Sequence, residues 1–211
     1  MAEMKAHWEA AFQQRQPAEV SWYQPHLQRS LGLIHEAAPA KDAAIIDIGG
    51  GASTLVDDLL QEGFRDLTVL DISATALQAA KARLCAQADR VTWMEGDVLT
   101  AILPAQRYDV WHDRALFHFL VAPDDQARYA AQVRQAVKTG GTVIIATFDL
   151  QGPPRCSGLD VVRYSPETLE RAFGGLLRLV SSTTEQHRTP AGRIQEFLYC
   201  RFLKQEEELK R

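Results

Sequence analysis

The strongest constraint on how this chain folds is an alternation that begins at Ala43. The run "AAIIDI" (43–48) is short, apolar and β-branched, which reads as a buried strand. "STLVDDLLQEG" (53–63) then puts Leu55, Leu59 and Leu60 on one helical face, with Ser53 or Thr54 as cap and Gly63 as stop. The pair repeats. "DLTVLDI" is a second strand, and "SATALQAAKARLCAQA" an alanine-rich helix capped by Ser73. "RVTWMEGDV" and "YDVWHDR" are strands three and four. "PDDQARYAAQVRQAVKTGG" is a helix opened by Pro123 and closed by Gly140 and Gly141, and "TVIIATFDL" is a fifth strand. Strands separated by helices of this length make right-handed crossovers, hence a parallel sheet covered on both faces.

The last third breaks the rhythm. "SPETLERAFGG" is a capped helix, but "LLRLVSSTTEQHRT" and "GRIQEFLYCRFL" are strand-like and joined only by "PAG", which predicts an antiparallel hairpin. The fold class expected is α/β: a doubly wound seven-stranded sheet, mostly parallel, with an antiparallel C-terminal hairpin strand. Residues 1–40 look helical and amphipathic, with Trp8, Phe12, Trp22 and Tyr23, and are expected to pack as an extension over the ligand edge. Residues 41–204 form the main domain, and 205–211 a charged tail.

Composition narrows the function classes. A formal net charge of −4 argues against a general nucleic-acid binder. No apolar run approaches the roughly 20 residues of a membrane helix, and the start lacks a secretory signal. Three widely spaced cysteines (Cys85, Cys156, Cys200) fit free thiols and a cytoplasmic location. His and Cys do not cluster at ligand spacing, so no metal is expected.

In doubly wound sheets, ligands sit at the carboxyl ends of strands. "DIGGGAS" (Asp47 to Ser53) lies at such an end, and its glycines Gly49, Gly50 and Gly51 let a ligand approach the backbone. A dinucleotide fingerprint would carry glycine where Thr54 stands, and the Gly-Lys-Ser/Thr ending of a phosphate loop is missing. A plain tight turn is the bland alternative. Asp71, ending the second strand 24 residues after Asp47, changes the balance, because a carboxylate there can accept from both hydroxyls of a ribose. At the third strand's end, Asp97 can accept from an adenine amino group while the Val98 amide donates to the ring.

Taken in order, "DIGGGAS", "LDIS", "EGDV" and "YDVWHDR" resemble the motifs of class I S-adenosylmethionine-dependent methyltransferases, over roughly residues 40–150. The resemblance implies strand order 3-2-1-4-5-7-6 and S-adenosyl-L-methionine as cofactor. It implies that Asp47, Gly49, Gly50, Gly51 and Ser53 lie near its methionine and ribose parts, that Asp71 and Ile72 meet the ribose, and that Asp97 and Val98 meet the adenine. The fourth-strand backbone near His112 would face the ammonium. Ser53 departs mildly from a third small glycine position. The stretch "HWEAAFQQRQPAEVSWYQPH" is also similar to the tryptophan-rich opening of lysine methyltransferases related to those acting on elongation factors and citrate synthase. In that comparison Trp22 and Tyr23 cover the methionine end; otherwise they are core aromatics.

Methyl transfer needs alignment, exclusion of water and, for some acceptors, removal of a proton. Candidates cluster in "WHDRALFHF": His112 as a general base, Asp113 as the carboxylate that orients the acceptor, and His118 further on. The bland reading pairs Asp113 with Arg114 and leaves His112 only its carbonyl. The loop "DLQGPPRCSGLDVVRYSP" (149–166) offers Arg155, Cys156 and Arg163 for a substrate anion or soft nucleophile. A small-molecule acceptor is favoured over a protein lysine. A nicotinamide oxidoreductase and a non-catalytic nucleoside-binding module are the readings from other classes.

Overall fold

The computed structural model describes residues 2–206. Seven strands form one sheet: β1 (Ala44–Ile48), β2 (Asp66–Asp71), β3 (Val91–Glu95), β4 (Tyr108–Arg114), β5 (Val137–Phe148), β6 (Leu177–Arg188) and β7 (Ile194–Lys204). Their order is 3-2-1-4-5-7-6, with β1 to β5 parallel and β7 antiparallel to both neighbours. This is the expected architecture. Six α-helices surround it: α1 (Ala2–Gln14), α2 (Gln28–Ala37), α3 (Leu55–Gln61), α4 (Ala74–Leu84), α5 (Pro123–Ala136) and α6 (Pro166–Ala172). Most of the tail, from residue 207, lies outside the described residues.

Strand alternation splits the core into two layers. One face carries Ile45, Val69, Val110, Ile144 and Phe148 against α2 and α3. The other carries Ile46, Trp111, Val143 and Ile145 against α5 and α6. Ser73 caps α4 by accepting from the Ala76 amide at 3.1 Å, and Ser165 opens α6 with a capping box, both as expected. Thr54 sits at the N-cap of α3, but its hydroxyl is spent on the Gln24 carbonyl at 3.0 Å, tying the N-terminal segment to the glycine turn.

One boundary differs. The helix expected to run to Gly141 ends at Ala136, and "VKTGG" is the start of β5. Val137 pairs with Tyr108, and a register shift follows before Thr142 meets Val110. Gly140, at φ +73°, takes up the irregularity as a bulge rather than a helix stop. Pairing with β4 overrides a helical pattern that lacks a tertiary partner.

Candidate active site

The carboxyl ends of β1, β2, β3 and β4 converge on a cavity of about 450 Å³, within the range of small-molecule sites. Asp71, Ile72, Asp97 and Val98 line one end; Trp22, Arg114, Phe119 and Cys156 line the other. A smaller space of about 50 Å³ adjoins it, lined by Tyr23, Asp47, Gly50, Ser53 and His112. Gly49, Trp22 and Arg114 border both.

The glycine turn is built for close approach. Gly49 (φ +66°) and Gly51 (φ +38°) hold a backbone that side chains resist. A Cβ on Gly50 would stand 2.6 Å from Asp47 Oδ2, and one on Gly51 2.7 Å from Asp71 Oδ2. Both acids are therefore pressed against the turn. Asp71 Oδ1 accepts from the Ser73 amide at 2.8 Å. Burial nonetheless pushes its pKa up to about 7, helped by the negative charges of Asp47 and Glu9. A buried carboxylate this reluctant to ionise invites hydrogen-bond donors. Asp97 Oδ1 accepts from the Leu99 amide at 2.9 Å and holds the turn after β3.

His112 and Asp113 are adjacent in β4, so they face opposite layers. His112 is 1% exposed. Its Nδ1 is within hydrogen-bond distance of Asp47 Oδ1 at 2.7 Å, and its Nε2 of the Ser30 hydroxyl at 2.9 Å. Both ring nitrogens are occupied, which corrects the expectation of a general base: the imidazole braces Asp47 instead. Asp113 is also corrected. It is wholly buried on the α5 face, where it accepts from Tyr129 Oη at 2.6 Å and from the Leu116 and Phe117 amides at 2.9 and 3.1 Å. Tyr129 in turn accepts from Trp111 Nε1 at 2.8 Å. This carboxylate borders neither cavity.

Arg114 does not pair with Asp113 either. It shares the face of His112 and reaches Tyr199 Oη and the Trp22 carbonyl, both at 2.9 Å, with its guanidinium 4.5 Å over the Phe197 ring. Of the loop candidates, only Cys156 reaches the cavity; burial raises its thiol pKa. Arg155 has a side chain 65% exposed and pairs with Asp160, and Arg163 donates to the Leu150 and Gly152 carbonyls. Neither lines the cavity, because both are engaged within their own loop.

The N-terminal segment roofs the site. Trp8 packs edge-on against Trp22 and Phe119, with centroids 5.7 and 5.1 Å apart, and Phe12 packs against Trp22. Glu9 fastens α1 to the start of α4: its carboxylate accepts from the Ala74 amide at 2.6 Å and Thr75 Oγ1 at 2.5 Å, a favourable place for a negative charge. Sequence reasoning missed Glu9, Ser30 and Tyr199. For Arg114, a usable signal existed: two residues on from His112 in a strand, it must share the cavity face. Among the described residues no His, Cys, Asp and Glu group has metal-site geometry, and no helix is long and apolar enough to cross a membrane.

Residues 45–141, from β1 into the first residues of β5, match the family described as methyltransferase domain. The match covers a little under half of the chain, whose fold is the one that class I S-adenosylmethionine-dependent methyltransferases share. The cofactor is S-adenosyl-L-methionine, and the glycine cradle and cavity fit a ligand of that size. Among curated proteins, the domain is similar to the eEF1A lysine and N-terminal methyltransferase of Homo sapiens, at 23% identity over 141 residues. That match covers 64% of this chain but only 20% of the relative, so the chain spans about a fifth of that protein's length. An uncharacterised methyltransferase of Mycobacterium tuberculosis is 27% identical over 116 residues, 55% of this chain and 56% of that one. Among solved structures, one concerning conversion of a disulfide bond into a thioacetal group during echinomycin biosynthesis superposes with TM-score 0.76 at 19% identity. It covers 98% of this chain and 94% of its own. The Burkholderia thailandensis 1,6-didemethyltoxoflavin-N1-methyltransferase superposes with TM-score 0.75 at 16% identity, covering 97% and 88%. At these identities both likenesses speak to the fold.

Proposed function

We propose that this methyltransferase domain acts on a small-molecule acceptor. The carrying observation is the roofed cavity, in which the strand-end acids Asp71 and Asp97 and the aromatic residues Trp8, Phe12, Trp22 and Phe119 line one continuous cleft under α1. In this reading Asp71 accepts from the ribose hydroxyls, with Ile72 beside them. Asp97 and the Val98 amide read the adenine edge. Gly49, Gly50, Gly51, Ser53, Trp22 and Tyr23 surround the methionine end, with Asp47 held in place by His112. The bound cofactor supplies an activated sulfonium methyl. The protein orients the acceptor between Trp8, Trp22 and Phe119 and excludes water, and positioning of this kind accounts for much of the rate in such displacements.

Similarity to eEF1A lysine methyltransferases keeps a protein-lysine acceptor as the second reading. The polar group at the acceptor end weighs against it, because Arg114 is a cation where a lysine ammonium would have to sit. The test is radiolabel transfer from S-adenosylmethionine into cell lysate separated into protein and low-mass fractions. Label in the low-mass fraction is expected. Label confined to protein overturns the small-molecule assignment. In parallel, S-adenosylhomocysteine should raise the melting temperature and NAD should not.

A further inference from the structure

Besides the strand-end acids Asp71 and Asp97, the cavity is lined by Arg114 and, at its edge, by Asp125 and Arg128, which pair with each other at 3.5 Å. Arg114 is clamped by Tyr199 Oη and the Trp22 carbonyl, and Tyr199 is itself fixed by donating to Glu185 Oε2 at 3.1 Å. Its remaining terminal nitrogen, Nη2, is shielded from solvent and has no partner among the described residues. His118, on the turn after β4, is wholly buried, and the Phe148 amide donates to its Nδ1 at 3.3 Å. The neutral ring therefore carries its hydrogen on Nε2, which is also buried without an acceptor. Burial and the nearby Arg114 charge lower the His118 pKa to about 3, so it is a donor and stays neutral. Arg114 borders both cavities, whereas His118 borders neither, so it is the unsatisfied Arg114 donor that needs an explanation at the site. A guanidinium with one nitrogen left unpaired matches an oxyanion better than a neutral or cationic partner.

We infer that the methyl acceptor is an aromatic or otherwise planar molecule that binds as an anion, its acidic oxygen held by Arg114. This rests on the methyltransferase reading and names the acceptor class. It also explains why the domain manages without His112 or Asp113 as a base. The acceptor arrives already deprotonated, stabilised by the guanidinium. An oxygen lone pair forms the new O–CH3 bond, and the electron pair of the broken S–CH3 bond stays on sulfur. The negative charge of the acceptor and the positive charge of the sulfonium cancel, and no proton is released in the step. Arg114 would touch the substrate; Tyr199 and Glu185 are positioning residues.

The test uses the full chain loaded with S-adenosylhomocysteine and three matched probes: 2-naphthoate, its neutral amide, and 2-naphthylmethylammonium, followed by titration calorimetry. Saturable millimolar binding of the carboxylate is expected, at least about tenfold tighter than the amide or the ammonium. Arg114→Gln should abolish that preference, and Arg114→Lys should retain part of it, with melting curves showing both variants folded. Equal or tighter binding of the amide or the ammonium overturns the inference, as does the absence of saturable carboxylate binding. So does an Arg114→Gln variant that binds the carboxylate like wild type. If Arg114→Gln weakens S-adenosylhomocysteine tenfold while 5′-methylthioadenosine binds as before, the guanidinium serves the cofactor's carboxylate and the inference falls. If wild type binds no S-adenosylhomocysteine, the underlying functional reading fails first.

Discussion

β4 carries two buried polar networks on opposite faces, and they differ in one respect that separates support from chemistry. On the α5 face, Asp113, Tyr129, Trp111 and two backbone amides satisfy one another completely, and none of these three side chains lines a cavity. On the other face, Asp47, His112 and Ser30 are satisfied, but Arg114 two residues further on borders the cavity with a donor to spare. A closed network fixes the strand end and the turn after it. An open one leaves binding capacity for a ligand. Residues of similar chemistry, one position apart, thus acquire different jobs through strand parity alone.

The largest effect that would sharpen this contrast is on stability. Asp113→Ala strands the Tyr129 hydroxyl and two buried amides, so unfolding should become easier by about 2–4 kcal/mol, read from denaturant titration. A stable variant that has lost methyl transfer would break the comparison by making Asp113 a site residue. Next comes Asp71→Ala, which should weaken S-adenosylhomocysteine by about 1.5–3 kcal/mol while leaving the fold intact. Calorimetry showing unchanged affinity would remove Asp71 from the cofactor site.

A pH series is the third lever. The Asp71 pKa of about 7 lies above its ordinary 3.8, so the unliganded protein takes up a proton there as the pH falls through 7. In that state the stability tied to this group is greatest at low pH and is lost as the pH rises through 7. Ribose hydroxyls donate to the ionised form, so cofactor affinity should be full above neutrality and drop by up to about tenfold per pH unit below it. Asp71→Asn should flatten the curve; a wild-type affinity constant from pH 8 to about pH 5.5 would contradict the assignment. The smallest effect belongs to the loop. Arg155→Ala and Arg163→Ala should each shift stability by under about 0.5 kcal/mol and leave methyl transfer unchanged in steady-state assays. A strong rise in KM from either would move the acceptor site toward the loop.

Much of the fold was legible because its signals are local. The β-branched runs, the capping serines Ser73 and Ser165, and the helix-free "PAG" connection each announce an element within a few residues. The acids Asp47, Asp71 and Asp97 were legible as strand-end residues for the same reason. The stretch 137–141 misled because its helical pattern continues that of α5, while its true partner, Tyr108 in β4, is about thirty residues away in sequence. His112, Asp113 and the loop arginines misled differently. Residue type suggested chemistry, but type says nothing about whether a side chain is already satisfied.

By itself, the sequence determined the alternating α/β order, the glycine turn and the succession of acids at the strand ends, since all follow from periodicity and backbone freedom along the chain. Only the tertiary structure decided which polar groups remain unsatisfied. Ser30 comes from α2 to close off His112, Tyr129 comes from α5 to close off Asp113, and Tyr199 comes from β7 to clamp Arg114 beside the cavity. Those partners lie 82, 16 and 85 residues away. Hydrogen-bond satisfaction is set by contacts at such separations, whereas propensity and pattern act within a turn or a strand.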